Sequence, residues 1–235
     1  MDDINATDEF GRTQLLRAVE RGDLNTVQAL VRQGAALEKR SNDGMTPLVK
    51  AAEAGENVMI TTLIAAGADV DATDANGRTA LMAAAQKGHA GTAAALIGLK
   101  ASITATDNKA DTALHYAATC IDNEQVLRLL HRKGALLNEQ NAAGETPMVV
   151  AVKKHNAENV KTLLNLGASV FIADNSGLNA IEQGRALKRA KFREAMIEAF
   201  DNDPRAPEAA AMKKGTAETI KVFKPLSFRK PAPTG

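Results

Sequence analysis

Apolar residues along this chain come in short clusters at helical spacing. Leu48, Ala51 and Ala52 make one such face, and Val27, Leu30 and Val31 make another. Val160, Leu163 and Leu164 repeat the i, i+3, i+4 pattern that predicts an amphipathic helix. The polar positions between clusters carry start and stop signals. A threonine before Pro or Ala suits a helix start, because its hydroxyl accepts an orphan backbone N–H and Pro loses nothing at the first helical position. Gly22, Gly55 and Gly88 are expected to end a short first helix. Asp23, Glu56, His89, Asp122 and Asn156 are expected to open a second one. Gly34, Gly67, Gly134 and Gly167 then supply a left-handed residue at its end. The predicted element is a helix–turn–helix unit too small to bury its own apolar face.

These units repeat. The helix-starting threonines are Thr13, Thr46, Thr79, Thr112 and Thr146, at spacings of 33, 33, 33 and 34 residues. Five segments in one register are the signature of a repeat architecture, in which stacking makes the core continuous. Residues TPL at Thr46–Leu48, TAL at Thr79–Leu81, TALHYAA at Thr112–Ala118 and GADVDA at Gly67–Ala72 carry a resemblance to the ankyrin-repeat family over roughly residues 8 to 175. The resemblance implies an all-α solenoid of stacked helix–turn–helix units with projecting hairpin-like turns. It also implies binding to another protein.

Departures from the period mark expected irregularities. Lys100 replaces a closing glycine, Ile121 and His155 replace interhelix glycines, and Ala110 replaces a turn glycine. The extra residue of the fourth unit is expected among His131, Arg132 and Lys133, with a local bend or a lengthened helix end there. The first unit, with Arg17, Glu20 and Arg21, suits a polar end cap. The domain reading is a lead over 1–7, an array over 8–200 and a tail over 201–235. The array is expected to close with a degenerate sixth unit, on which Phe192, Met196, Ala199 and Phe200 form one stripe. The tail holds Pro204, Pro207, Pro225, Pro231 and Pro233, five of the chain's seven prolines, and its composition favours disorder. Its segment 218–228, ETIKVFKPLSF, is too apolar for a spacer. Three readings stay open for it: folding back on the array, adding to a partner as a strand, or a disordered remnant.

Composition narrows the function classes. Aromatics are 3% of 235 residues, so many small side chains must close the core. The net charge of +1 gives no field for nucleic acid or an anionic membrane. One cysteine excludes an intrachain disulfide framework. No run of about 18 apolar residues suits a membrane span, and the acidic start MDDINATDEF lacks the apolar run of a secretory signal. A cytoplasmic location is expected.

His115 and Cys120 are the raw material of a thiol nucleophile and its base. Five residues of helix place their side chains roughly 140° apart, which argues against cooperation on one face. His115 also sits at the family's TPLH position, where the resemblance implies a structural histidine. No metal-ligand spacing, phosphate loop or nucleophile elbow occurs. No catalytic residue, metal or cofactor is therefore expected.

A partner is expected to dock on what packing leaves free, which the resemblance places at the turn tips and the outward face of the first helices. The tip residues include Phe10, Arg12, Asn42, Met45, Asn76, Arg78, Lys109, Asp111 and Glu145. The strip along the first helices reads Arg17, Lys50, Ala83, Tyr116 and Val150, with Arg21, Glu53, Gln86, Lys87, Lys153 and Lys154 beside it. Phe10 and Met45 are expected as apolar tips and Tyr116 as an anchor of the kind that dominates interfaces. The strip is net basic, so the expected partner is a protein with an acidic surface and an apolar centre, bound by a monomer. Two alternatives remain: a translocated effector or thiol-dependent enzyme with hidden chemistry, and an interaction carried by the tail.

Overall fold

The computed structural model describes residues 3–121 and 123–186. Among these, eleven helices alternate with tight turns: α1 (Gln14–Glu20), α2 (Leu24–Arg32), α3 (Pro47–Ala54), α4 (Asn57–Ala65), α5 (Ala80–Lys87), α6 (Ala90–Gly98), α7 (Ala113–Thr119), α8 (Glu124–Arg132), α9 (Pro147–Lys153), α10 (Ala157–Leu166) and α11 (Ala180–Ala186). Odd-numbered helices are the first helices of their units. Thr13, Thr46, Thr79 and Thr146 cap them, each hydroxyl accepting the backbone N–H three residues on at 3.1–3.3 Å.

The first helices pack closely on one another from unit to unit, and the second helices less so. Small residues permit the close approach: Ala51, Ala52, Ala84, Ala85, Ala117, Ala118 and Ala151 are fully buried. Unequal spacing on the two sides curves the stack, with first helices and turn tips on the inner side. One continuous apolar core runs from Leu15 to Ile181, with no break that would define separate domains. Residues at the chain start join it: Ile4 packs against the core, and Asn5 accepts the Ala36 N–H at 2.8 Å. The expected sixth-unit stripe at 192–200 and the tail with segment 218–228 lie outside the described residues.

The departures from the period resolve into two kinds. Lys100, Ala110 and His155 keep the left-handed geometry of the glycines they replace, with φ of 75°, 60° and 57°. Those positions need a positive φ whatever the residue, so each side chain there is strained. The fourth unit behaves differently. Its helix α7 ends at Cys120 in extended geometry, φ −82° and ψ 137°, where α3 ends on left-handed Gly55.

The extra residue therefore lies in the α7–α8 connection and not among His131, Arg132 and Lys133. Helix α8 has the same nine residues as α2, α4 and α6, and its cap is Asn123 where Asp122 was expected. The core confirms the shift: Leu30, Leu63, Leu96, Leu130 and Leu163 are the equivalent buried positions. The apolar surplus of α8, at Val126, Leu127, Leu129 and Leu130, masks the shift, because Leu129 and Leu130 also fall on the sequence register of Leu30 and Val31.

Three asparagines repair the irregular end. The Asn123 side chain donates to the carbonyls of Ala85 and Ala117 at 2.7 and 3.1 Å. Asn156 donates to the Cys120 carbonyl at 2.6 Å. Asn159, fully buried, donates to Ala117, Ala118 and Cys120 carbonyls at 3.2, 3.3 and 2.7 Å and accepts the Asn123 N–H at 3.1 Å. Carbonyls that a left-handed glycine would let the backbone cap are capped here by side chains.

Candidate protein-binding face

The turn tips of units one, three, four and five are built around a carboxylate or amide five residues before the helix-starting threonine, whereas unit two has Ser41 there, its hydroxyl donating to Asp43. Asp8 accepts the N–H groups of Phe10 and Arg12. Asp74 does so for Asn76 and Arg78, Asp107 for Lys109 and Asp111, and Asn141 for Ala143 and Glu145. These local bonds rigidify the tip. Neighbouring tips are then joined by backbone bonds, such as Asn42 N–H to the Phe10 carbonyl at 2.9 Å and Asn108 N–H to that of Asn76 at 3.0 Å. The approach is close enough that a Cβ added at Gly77 would lie 2.9 Å from the Asn108 backbone nitrogen. These organising acids were not singled out from the sequence, although their recurrence at Asp8, Asp74, Asp107, Asn141 and Asp174 follows the period.

Many of the expected contact residues are engaged in holding this face together. Arg78 donates to Asp74 and Gln86 in its own unit and to Glu53 in the preceding one, at 3.0, 2.6 and 2.9 Å. Burial opposes its charge, and the bonds from Glu53 and Asp74 outweigh burial and raise its pKa. Lys153 pairs with Glu145 and Asp174. Asn141 donates to Asp111 at 2.7 Å, and Asn42 donates to the Glu9 carbonyl at 3.0 Å. Tyr116 is half-buried, and its hydroxyl donates to Asp107 at 2.7 Å. Burial and that hydrogen bond push the phenol well above its usual range.

Three expected apolar contacts are corrected. Met45 is 7% exposed and belongs to the core, so it is no apolar tip. Val150 is also buried, as is Ala83. Close packing of the first helices covers the middle of the strip, which leaves no apolar centre there. Phe10 alone among the expected apolar contacts is open, 54% exposed, with the Arg12 guanidinium 4.6 Å above its ring.

The cations divide accordingly. Arg12 is bound to Asp8 and Glu20, and Lys50 approaches Glu20 at 3.7 Å. Arg21, Lys87, Lys109 and Lys154 are exposed and make no ion pair among the described residues. Arg17 is half-buried, and its Nε is shut off from solvent with no hydrogen-bond acceptor.

The thiol and histidine do not form a catalytic pair. The Thr112 N–H donates to His115 Nδ1 at 3.2 Å, so Nε2 carries the proton and donates to the Glu145 carbonyl of the next unit at 2.9 Å. Both ring nitrogens are thereby occupied in stacking units four and five. An open groove of about 570 Å³ between the turns of units two and three is lined by Glu38, Arg40, Asp69, Asp71 and Thr73. Its carboxylates are engaged too: Glu38 accepts the Asp69 N–H and Asp71 the Ser102 N–H. Among the described residues, no helix is long and apolar enough to cross a membrane.

Comparison with known proteins agrees with this geometry. The ankyrin-repeat family model matches in three copies, over residues 1–74, 56–141 and 109–174. The ankyrin repeat domain of Bcl-3, described as a unique member of the IkappaB protein family, superposes with a TM-score of 0.68 at 28% identity, covering 80% of this chain and 85% of that one. The human ASB11 ankyrin repeat domain superposes with a TM-score of 0.73 at 21% identity, covering 84% and 87%. No curated protein matches at the sequence level. The register of five threonines, the zipped turn tips, the histidine bridge between units and the family match together place this chain in the ankyrin-repeat family.

Proposed function

We propose that this chain is a non-enzymatic protein-binding module, acting in the cytoplasm as an adaptor, inhibitor or neutralising partner of another protein. The observation that carries the reading is the division of charges on the inner face. Most of its acids are bound into tips and ion pairs, whereas Arg21, Lys87 and Lys154 stand exposed and without an ion pair among the described residues along one edge. Such a face complements an acidic protein surface, and complementarity of this kind steers association and fixes register. The apolar part of the contact belongs at Phe10, at one end of the face, since the middle of the strip is packed. An enzyme using Cys120 gains no support from His115, whose ring is spent on the stack.

Photo-crosslinking tests the reading in cells. A crosslinking side chain at Lys87, on the inner face, is expected to capture a discrete protein. One at Val58, 60% exposed on the second helix α4, is expected not to. Capture of the same protein from both positions, or from Val58 alone, overturns it.

A further inference from the structure

The anionic and cationic groups at the N-terminal end of the inner face are unequally committed. Asp8 is held by two backbone N–H groups and by Arg12. Asp23 caps α2 through Thr26, and Asp43 is bound to Ser41. Glu20 divides itself between Arg12 and Lys50. Asp8, Glu20, Asp23 near Arg21 and Asp43 near Lys50 therefore each have a structural bond, and Glu9, exposed in the first tip, makes none among the described residues.

The cations are not matched to them. The Arg17 side chain makes no hydrogen bond or ion pair among the described residues, and its Nε is enclosed without an acceptor. A guanidinium in that state loses no bond on turning outward, and it gains one when a carboxylate meets it. Arg21, one turn along α1, is exposed. Beside them the Phe10 ring is stacked by Arg12 and offers its remaining surface to a partner. Unit three carries Lys87 but has no counterpart of Phe10, with Asn76 at the same place in its turn.

We propose that Arg17 and Arg21, with the Phe10–Arg12 stack, form the anchoring end of the inner face and take an acidic segment of a partner protein, carboxylates on the arginines and one apolar side chain on Phe10. Neighbouring units stack at about 8–10 Å. Carboxylates three residues apart on a polyproline II segment, which makes one turn in three residues at about 3.1 Å each, lie on one side and match the step from Arg17 to Lys50. A phosphate backbone would use the same arginines but has no group for Phe10. The inference rests on the protein-binding reading above and narrows it to one end of the face.

Fluorescence anisotropy on the full chain tests it, with a labelled synthetic peptide of glutamates and leucines as probe. A labelled single-stranded oligonucleotide of equal net charge serves as the second arm. The double variant Arg17→Gln/Arg21→Gln is expected to weaken peptide binding by about tenfold or more, and Lys87→Gln/Lys154→Gln by much less. Phe10→Ser is expected to weaken the peptide and leave the oligonucleotide unchanged. Unaltered circular dichroism keeps unfolding out of the comparison. Equal losses in the two double variants, tighter binding of the oligonucleotide than the peptide, or no peptide binding overturns the proposal. Crosslinking separates the two levels. Capture from Lys87 that survives Arg17→Gln/Arg21→Gln removes this anchor and leaves the protein-binding reading standing. Loss of inner-face capture in wild type removes both.

Discussion

Asn159 offers the sharpest test of how the irregular fourth unit is held. Helix α10 presents it at the place where α4 has Met59 and α8 has Val126, both buried. Replacing Asn159 by Met therefore looks like a return to the pattern of the other units. The structure predicts the opposite. Cys120 would keep Asn156, and Ala117 would keep Asn123. The Ala118 carbonyl and the Asn123 N–H would lose the partners that Asn159 provides at 3.3 and 3.1 Å. Two buried backbone groups left unsatisfied cost about 2–4 kcal/mol together, after some allowance for the apolar gain. For a chain of this size that is a fall of about 5–15 °C in thermal midpoint. Hydrogen exchange should show the loss concentrated at Cys120 and Asn123, since repeat arrays open locally. A companion variant checks the cause. Ile121→Gly with Asp122 deleted restores the usual connection length and a residue that tolerates positive φ. In that background Asn159→Met should cost much less. If Asn159→Met leaves wild-type stability unchanged, or its cost is the same in both backgrounds, the carbonyl-capping role is wrong.

Three further outcomes follow from the same structure. Lys100→Gly, at φ 75° on an exposed helix end, is expected to stabilise by about 0.5–1 kcal/mol in urea titration, because relief of left-handed strain exceeds the entropy lost by glycine. Burial of Asp174 would raise its pKa, but bonds from Ser176 and Lys153 and from the Ser176 and Leu178 backbone outweigh burial and hold it well below the carboxylate range. Its contribution is complete above the unfolded value of about 4 and is lost as pH falls through the folded value, so exchange protection at Ser176 and Leu178 should decline below about pH 4. Asp174→Asn should flatten that dependence. Tyr116→Phe removes the donor to Asp107 while keeping the ring, and is expected to cost about 0.5–1.5 kcal/mol by thermal melting; a variant that melts like wild type but loses partner binding would return Tyr116 to the recognition face.

The period made the fold legible. A threonine that caps, a glycine that reverses the chain and an apolar triad at i, i+3, i+4 are local signals. The array repeats them five times, and noise in one copy is corrected by the rest. Even Lys100, Ala110 and His155 were identifiable as glycine substitutes, and their φ values agree. What misled was a place where two local signals compete. The apolar surplus of α8 allowed two registers, and only the cap at Asn123 and the burial of Leu130 decide between them. Asn159 could not announce its role, because an asparagine on an amphipathic helix is ordinary unless one knows that α7 ends without a left-handed residue.

The binding face was less legible for a reason that a period cannot overcome. Repeat position tells which way a side chain points, and says nothing of what the neighbouring unit has already placed there. Arg78 and Arg17 read alike, as cations on the inner side. Arg78 meets Glu53, 25 residues earlier, and Asp74 in its own turn, and becomes a strut. Arg17 meets no such acid: its side chain has no ion pair among the described residues, and its Nε is enclosed without an acceptor. Met45 and Val150 fail similarly, since tip and strip positions are open only where the next unit leaves room. The positions at which pattern alone cannot separate support from recognition are therefore the interior units. Where no neighbouring unit has placed an acid, a charged residue keeps no structural partner, and there an unpaired cation such as Arg17 points to a partner outside the chain.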